Sequence, residues 1–377
     1  MRTDGERPIR VLIASHSLGA IGGVQTYERD LAEWLLGHGH APVVYSTVLG
    51  ESSRQLDRLT VPVTTDLASV GAAPDIIHGD SAVETMAALL HFPAVPALFV
   101  CHGWNALVPH FPRILRYVAV DDTCADFLLT REGIAPEKVV VLLNAVDTRR
   151  FPQRPPLPER PRRAIVFSNT AHEGTYLPFV REACHRNGIE VDVAGLFAGN
   201  TVSEPEALLP GYDLAFAKAK CTIEAMACGL AVIVCDARGI GGMVRTDNLE
   251  RLRRLNFGAR CLNTPWSADA LAGEIAKYDP ADAREVSGHI RATASSDTLH
   301  GALFAQYEAV IAGHDGHQPD GTAEGRAAAA FLRRLSEYDR DHQGRLDRTV
   351  RAAHRLMQIP VLGPVARRAA RWILRRR

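Results

Sequence analysis

The feature that most constrains this chain is an alternation. Short apolar runs of strand length take turns with amphipathic runs of helical period, stop at a proline-dense segment, and then resume. The first half predicts strands at 11–14, 42–46, 76–78, 97–101, 117–120 and 139–143. Between them lie helical patterns. In 25–36 the residues Tyr27, Leu31, Trp34 and Leu35 share one face, and Gly37 is placed to end the helix. Another helix opens at Ser81 with Glu84 three residues on, the spacing of a capping box. Residues 152–163 carry five prolines in twelve positions, which neither a helix nor a central strand tolerates. After this break, strands are expected at 164–168, 190–194, 214–217 and 231–236. Alternation of this kind implies parallel sheets covered by helices.

With 377 residues, the chain has room for two such α/β units and a tail. The expected division is 1–151, a linker at 152–163, a second unit at 164–315 and a basic helical extension at 316–377. The 43 basic and 43 acidic residues cancel, so no global charge draws the chain to nucleic acid. Only Lys138, Lys218, Lys220 and Lys277 are lysines; the other basic residues are arginines. Seven cysteines without a Cys-x-x-Cys pair suggest neither a disulfide framework nor a zinc site, and a reducing, cytoplasmic compartment is expected. The first apolar run is too short for a signal peptide or a membrane span.

Chemistry concentrates between Tyr212 and Asp236. That segment reads as a strand, a short loop, a short helix, a glycine stop and a buried strand. The helix is expected to begin near Thr222, so its free amides and positive end face the loop as an anion site. Lys218 and Lys220 add charge there, and Glu224 in the first turn could accept hydrogen bonds from a ribose diol. On the residues alone, Glu224 could equally complement the helix dipole, with the lysines simply solvated. Gly22 and Gly23, after the first strand, allow close approach of backbone to a phosphate or sugar. Ser168 and Asn169 hold the equivalent place in the second unit, where they could contact phosphate or cap a helix. His102 ends a strand and faces the expected cleft, where it could contact the donor sugar or the acceptor as the candidate catalytic residue, or be a hydrogen-bonded loop histidine. His78 ends its own strand in a structural role. The run from Arg238 to Met243 is glycine-rich and could admit a sugar's hydroxyls to backbone amides. Adjacent Asp121 and Asp122 suit loop capping better than a metal, and no metal site is expected.

The stretch Glu224-Ala-Met-Ala-Cys-Gly229 followed by an apolar strand resembles the nucleotide-binding region of retaining GT-B glycosyltransferases, in particular family four. Three further segments are similar to that family, in its order: Ile21 to Ala32, Pro74 to His78, and Asn144 to Phe151. Together they span roughly residues 10–265. The resemblance implies two Rossmann-like domains facing across a cleft. It also implies transfer of a sugar from a nucleotide-diphosphate donor to a glycan or lipid-linked acceptor, with retention. The family's ribose-binding glutamate corresponds to Glu224, while its earlier glutamate position is Phe216. Its early Arg and Lys pair has no match in 168–174, and Lys218 and Lys220 are expected to supply that charge. No cofactor beyond the nucleotide sugar is implied. Without an obvious carboxylate nucleophile, the donor phosphate itself would help deprotonate the acceptor. Two other readings stay open at this point: a UDP-sugar epimerase of the same fold, and a non-catalytic sugar-nucleotide-binding or scaffold protein.

Between Arg345 and Arg377 there are ten arginines and one acid, and residues 362–374 interleave apolar side chains with arginine. Such an end could lie on an anionic membrane surface, placing the protein peripherally on its inner face. It could equally pack on a partner or on the first domain.

Overall fold

The structure is a computed structural model and describes residues 7–104, 106–200, 202, 204–314 and 320–358, with side chains as far as residue 340. Two compact units emerge. One runs to residue 314 apart from Pro109–Pro112, and the other holds Pro109–Pro112 and a long helix near the C-terminus.

The first unit contains two sheets. Strands β1 (Arg10–Ala14), β2 (Ala41–Tyr45), β3 (Val63–Thr64), β4 (Ile76–Gly79), β5 (Ala97–Cys101), β6 (Ile114–Ala119) and β7 (Val139–Val141) form a seven-stranded sheet in the order β3-β2-β1-β4-β5-β6-β7. All of its pairings are parallel. Strands β8 (Arg163–Phe167), β9 (Glu190–Ala194), β10 (Leu214–Ala217), β11 (Ala231–Asp236) and β12 (Gly239–Met243) form the second sheet in the order β12-β11-β10-β8-β9. Only β12 is antiparallel there. Helices α1 (Gly23–Gly37), α2 (Glu51–Arg58), α3 (Ala82–His91) and α4 (Asp122–Asp126) belong to the first sheet. Helices α5 (Leu177–Arg186), α6 (Pro205–Leu208), α7 (Lys220–Ala227), α8 (Leu249–Arg254), α9 (Ala268–Ile275) and α10 (Pro280–Thr293) follow with the second. Helix α11 (Ser296–His314) then returns to the first sheet, where Tyr307 bonds His78 of β4.

Side-chain alternation explains the second core. In β10, Ala215 and Ala217 face one layer with Ile223 and Met226 of α7. Leu214 and Phe216 face the other, against Tyr176, Val180 and Cys184. Phe216 is fully buried in that second layer. A glutamate at that position would bring an unpaired carboxylate into an apolar core, at a cost of several kcal/mol. Here the position is a packing site.

Several local expectations need correction. The ladder adds β3 and β12, which lack a strand's apolar pattern. The glycines of 239–242 do not form an open loop. A Cβ on Gly239 would come within 2.7 Å of the Thr264 carbonyl oxygen, and one on Gly241 within 3.0 Å of that of Cys261. Gly242 has φ +93. These glycines let β12 lie against neighbouring backbone. Helix α1 does end at Gly37, and Gly39, two residues on, takes the left-handed conformation at φ 76. Ser81 does cap the start of α3 by position, yet its hydroxyl donates to the Glu84 carboxylate and takes no backbone amide. The second unit's helix is α12 (Gly321–Gln358). Residues 359–377, with all of the arginine–apolar interleaving at 362–374, lie outside the described residues. Among the described residues no helix is long and apolar enough to cross a membrane, and all seven cysteines are free.

The proline segment is pinned rather than loose. Asp213 accepts the backbone amides of Arg162 and Arg163 at 2.8 and 3.1 Å and the Arg154 guanidinium at 2.8 Å. Burial alone would raise this carboxyl, but those donors outweigh it and hold it below the usual range. Its ionised form therefore stabilises the fold above the unfolded pKa, and that contribution is lost as pH falls through the folded one. Asp213→Ala should cost about 2 kcal/mol at neutral pH, and urea titrations should show the difference shrinking below about pH 4.

Candidate active site

In open parallel sheets, ligands bind beyond the carboxyl ends of strands where the strand order reverses. The first sheet reverses between β1 and β4, the second between β8 and β10. The loops after β1 and β8, together with the start of α7, meet around one cavity of about 120 Å³. Gly22 and Gly23 line it from the first sheet, and Asn169, Gly195, Lys220 and Glu224 line it from the second.

Helix α7 begins at Lys220, two residues before the expected start. Its cap, Ala219, has φ 53 and ψ −128, a conformation that costs an alanine of order 1–3 kcal/mol. That turn leaves the amides of Lys220 and Cys221 without a carbonyl partner among the described residues, so the positive end of the helix is presented to the cavity. The shift also explains Thr222. At the third helical position it turns inward, is fully buried, and does not line the cavity.

Charge is dense here. Lys220 Nζ reaches Asp30 of α1 at 3.1 Å, which ties the two sheets' loops together. Arg29 also bonds Asp30. Burial would raise Asp30, but Lys220 and Arg29 hold it below the usual carboxylate range. Arg150 grips Glu206 with two nitrogens at 2.8 and 3.0 Å. Burial pushes the Glu224 carboxyl up to about 7; Lys220 opposes the rise and Asp30 adds to it. Lys218 sits at the end of β10 and pairs with Asp236 at the end of β11, outside the cavity lining. Ser168 is buried and turns back on the Thr170 amide, while Asn169 takes the Leu196 amide. The cavity is smaller than the ~300–1,000 Å³ usual for ligand pockets.

His102 lies at the carboxyl end of β5 with its Nε2 2.7 Å from Asp80. In the same loop, the Trp104 ring lies 5.9 Å from the guanidinium carbon of Arg238, which follows β11. The loop after β5 thus reaches the second sheet's side of the cleft. His78 is buried and structural, bonded to Tyr307. Asp121 caps α4 through the Cys124 amide, and Asp122 pairs with Arg254 across the two sheets' helices. Among the described residues no cluster of metal ligands occurs.

Residues 21–150 match the family model for Glycosyltransferase Family 4. A glycosyltransferase from Rickettsia africae superposes with a TM-score of 0.59 at 16% identity, covering 81% of this chain and 99% of that one. Anabaena HepE, solved with UDP and glucose, gives 0.57 at 14% identity, with 80% and 99% covered. The chain has the GT-B glycosyltransferase fold. The lipopolysaccharide outer core galactosyltransferase WaaB shares this GT-B fold, with a TM-score of 0.51, 13% identity and coverage of 79% and 99%. No curated protein matches the chain.

Arg29, Asp30, Gln55 and Arg150 are cavity or near-cavity residues that sequence reasoning missed. Arg150 stood within a segment already noted for its resemblance, so its charge was a usable signal. Arg29 and Asp30 likewise stood within the segment Ile21 to Ala32, but the pairing of Asp30 with Lys220 spans 190 positions and left no local signal.

Glu224 makes a pH prediction. The folded protein keeps this proton up to about pH 7, whereas the unfolded chain releases it near 4.5. Between those values the unfolded state binds fewer protons, so stability falls as pH rises, by roughly 3 kcal/mol. Denaturant titrations of Glu224→Gln should lack that component. A second substitution, Ala219→Gly, should relieve the strained cap and raise stability by about 1 kcal/mol in the same titrations.

Proposed function

We propose that this chain transfers a sugar from a nucleotide-diphosphate donor to a hydroxyl of a glycan or lipid-linked acceptor. One observation carries the reading. The first amides of α7, which meet no carbonyl among the described residues, the Lys220 ammonium and the Glu224 carboxylate converge on a cavity faced by Gly22 and Gly23 from the other sheet. A diphosphate fits the amides and the ammonium. The ribose diol fits Glu224, and the glycines leave room for the sugar. A diphosphate entering here would take Lys220 from Asp30, replacing an internal partner with a more highly charged one. Lys218 remains bound to Asp236 and lends only longer-range charge.

In this reading the reaction retains configuration, the donor phosphate taking the acceptor's proton as the bond to C1 breaks. The engagement of Asp30 and Glu206 with cations supports this, since neither is free to attack C1. HepE's UDP and glucose, and WaaB's galactosyltransferase activity, belong to proteins of the same fold and are in keeping with the proposal. The acceptor side falls to the first sheet's loops.

A panel of nucleotide-diphosphate sugars, assayed for transfer and slow hydrolysis, tests the proposal. At least one donor should turn over, with the product's anomeric configuration unchanged by NMR. Lys220→Ala should raise the donor KM or lower kcat by roughly 10- to 100-fold, the value of a charged phosphate contact. Binding without turnover across the panel, or isomerised donor without acceptor, would contradict transfer. Unchanged kinetics in the lysine variant would remove its assigned role.

A further inference from the structure

Beside the cleft, several elements converge on a buried carboxylate that the proposed transfer does not use. Asp80 follows β4 with its side chain wholly buried. Its Oδ1 lies 2.7 Å from Nε2 of His102, and its Oδ2 lies 3.1 Å from Nε2 of His78. The other nitrogen of His78 meets the Tyr307 hydroxyl at 2.7 Å. Helix α1 contributes Tyr27, whose ring stands edge-on to His102 at 4.9 Å, and buried Glu28. Ser15 donates to Glu28 Oε2 at 2.9 Å. The charges of Asp80 and of Glu84 in α3 also act on Glu28.

Three atoms of this group, Glu28 Oε1, Asp80 Oδ2 and His78 Nε2, lack a hydrogen-bond partner of ordinary geometry among the described residues. Two neighbouring buried carboxyls disfavour each other's ionised forms. One proton held by Glu28 and offered to Asp80 satisfies both. The charge balance agrees. Burial, then the charge of Asp80, raises Glu28 far above the usual range. For Asp80, burial is outweighed by His78 and His102, which hold it below. Asp80 is then an acceptor only, so Nε2 of His102 carries the hydrogen between them. In a neutral ring that leaves Nδ1 bare. Nδ1 has no partner among the described residues, and the side chain keeps 15% of its surface open.

We propose that Asp80 is a positioning residue that fixes His102 as the Nε2–H tautomer, leaving Nδ1 to accept a hydrogen bond from a substrate hydroxyl in the cleft. Glu28 holds the second oxygen of Asp80 and keeps the carboxylate turned to the ring. The substrate part of this inference rests on the sugar-transfer reading; the tautomer part does not.

Long-range proton–nitrogen NMR of histidine-labelled protein at pH 8 tests it directly. Wild-type His102 should show Nε2–H. In Asp80→Asn, protonated Glu28 can only donate to the amide oxygen, which turns the amide N–H toward His102 and should switch the ring to Nδ1–H. Glu28→Gln still donates to Asp80 and should leave the tautomer unchanged. The asparagine variant should lower kcat at least about tenfold with donor KM nearly constant. A wild-type Nδ1–H ring overturns the proposal even if the variant does not fold. So does a variant that loses kcat without a tautomer switch, since that loss would be structural. A switched tautomer with unchanged kcat overturns the substrate contact. If no donor is turned over at all, the sugar-transfer reading fails separately while the NMR result still decides the tautomer.

Discussion

Everything at the site follows from strand direction. All seven strands of the first sheet run the same way, as do four of the five in the second. Parallel strands deliver their following loops to one edge, and the reversals of strand order open a crevice at that edge of each sheet. The start of α7 sits at one crevice, and the Gly22–Gly23 turn sits at the other. Neither would make a site alone. A short helix's positive end gains strength only where water is scarce, and the opposing sheet provides that shelter.

The same shelter explains the electrostatics. Lys220 and Arg29 on Asp30, and Arg150 on Glu206, are matched pairs in a partly buried gap. Glu224 lies buried among them, and that burial raises its carboxyl against the pull of Lys220. A bound diphosphate adds negative charge and would draw cations away from these acids. Ligand binding there would therefore be coupled to the packing of the two sheets' loops through the same few side chains. The exposed pairs of Arg254 with Asp122 and Arg260 with Asp126 add little energy, yet they join the same two halves.

Most of the fold was legible because burial on both faces of a parallel strand leaves an apolar run that few loops imitate. β5, β9, β10 and β11 lie where the pattern puts them. β3 is two residues long, and β12 is glycine-rich, so neither carries the pattern. The glycines of β12 suggested a ligand, and in the structure they let the strand lie close to neighbouring backbone; sequence does not distinguish the two uses. At the cavity, Glu224, Lys220, Asn169 and the paired glycines were legible because each belongs to a local motif. Thr222 was misjudged by half a helical turn, enough to move a side chain from cleft to core. Asp30, Glu28 and Asp80 take their importance from partners distant in sequence, which no local pattern reveals.

The central claim concerns where a pyrophosphate goes. A crystal structure with a nucleoside diphosphate bound tests it most directly. The account predicts phosphate oxygens within hydrogen-bond distance of the Lys220 and Cys221 amides, the ribose diol on Glu224, and the Lys220–Asp30 contact broken. A diphosphate bound elsewhere, with that contact intact and the start of α7 unliganded, would contradict it.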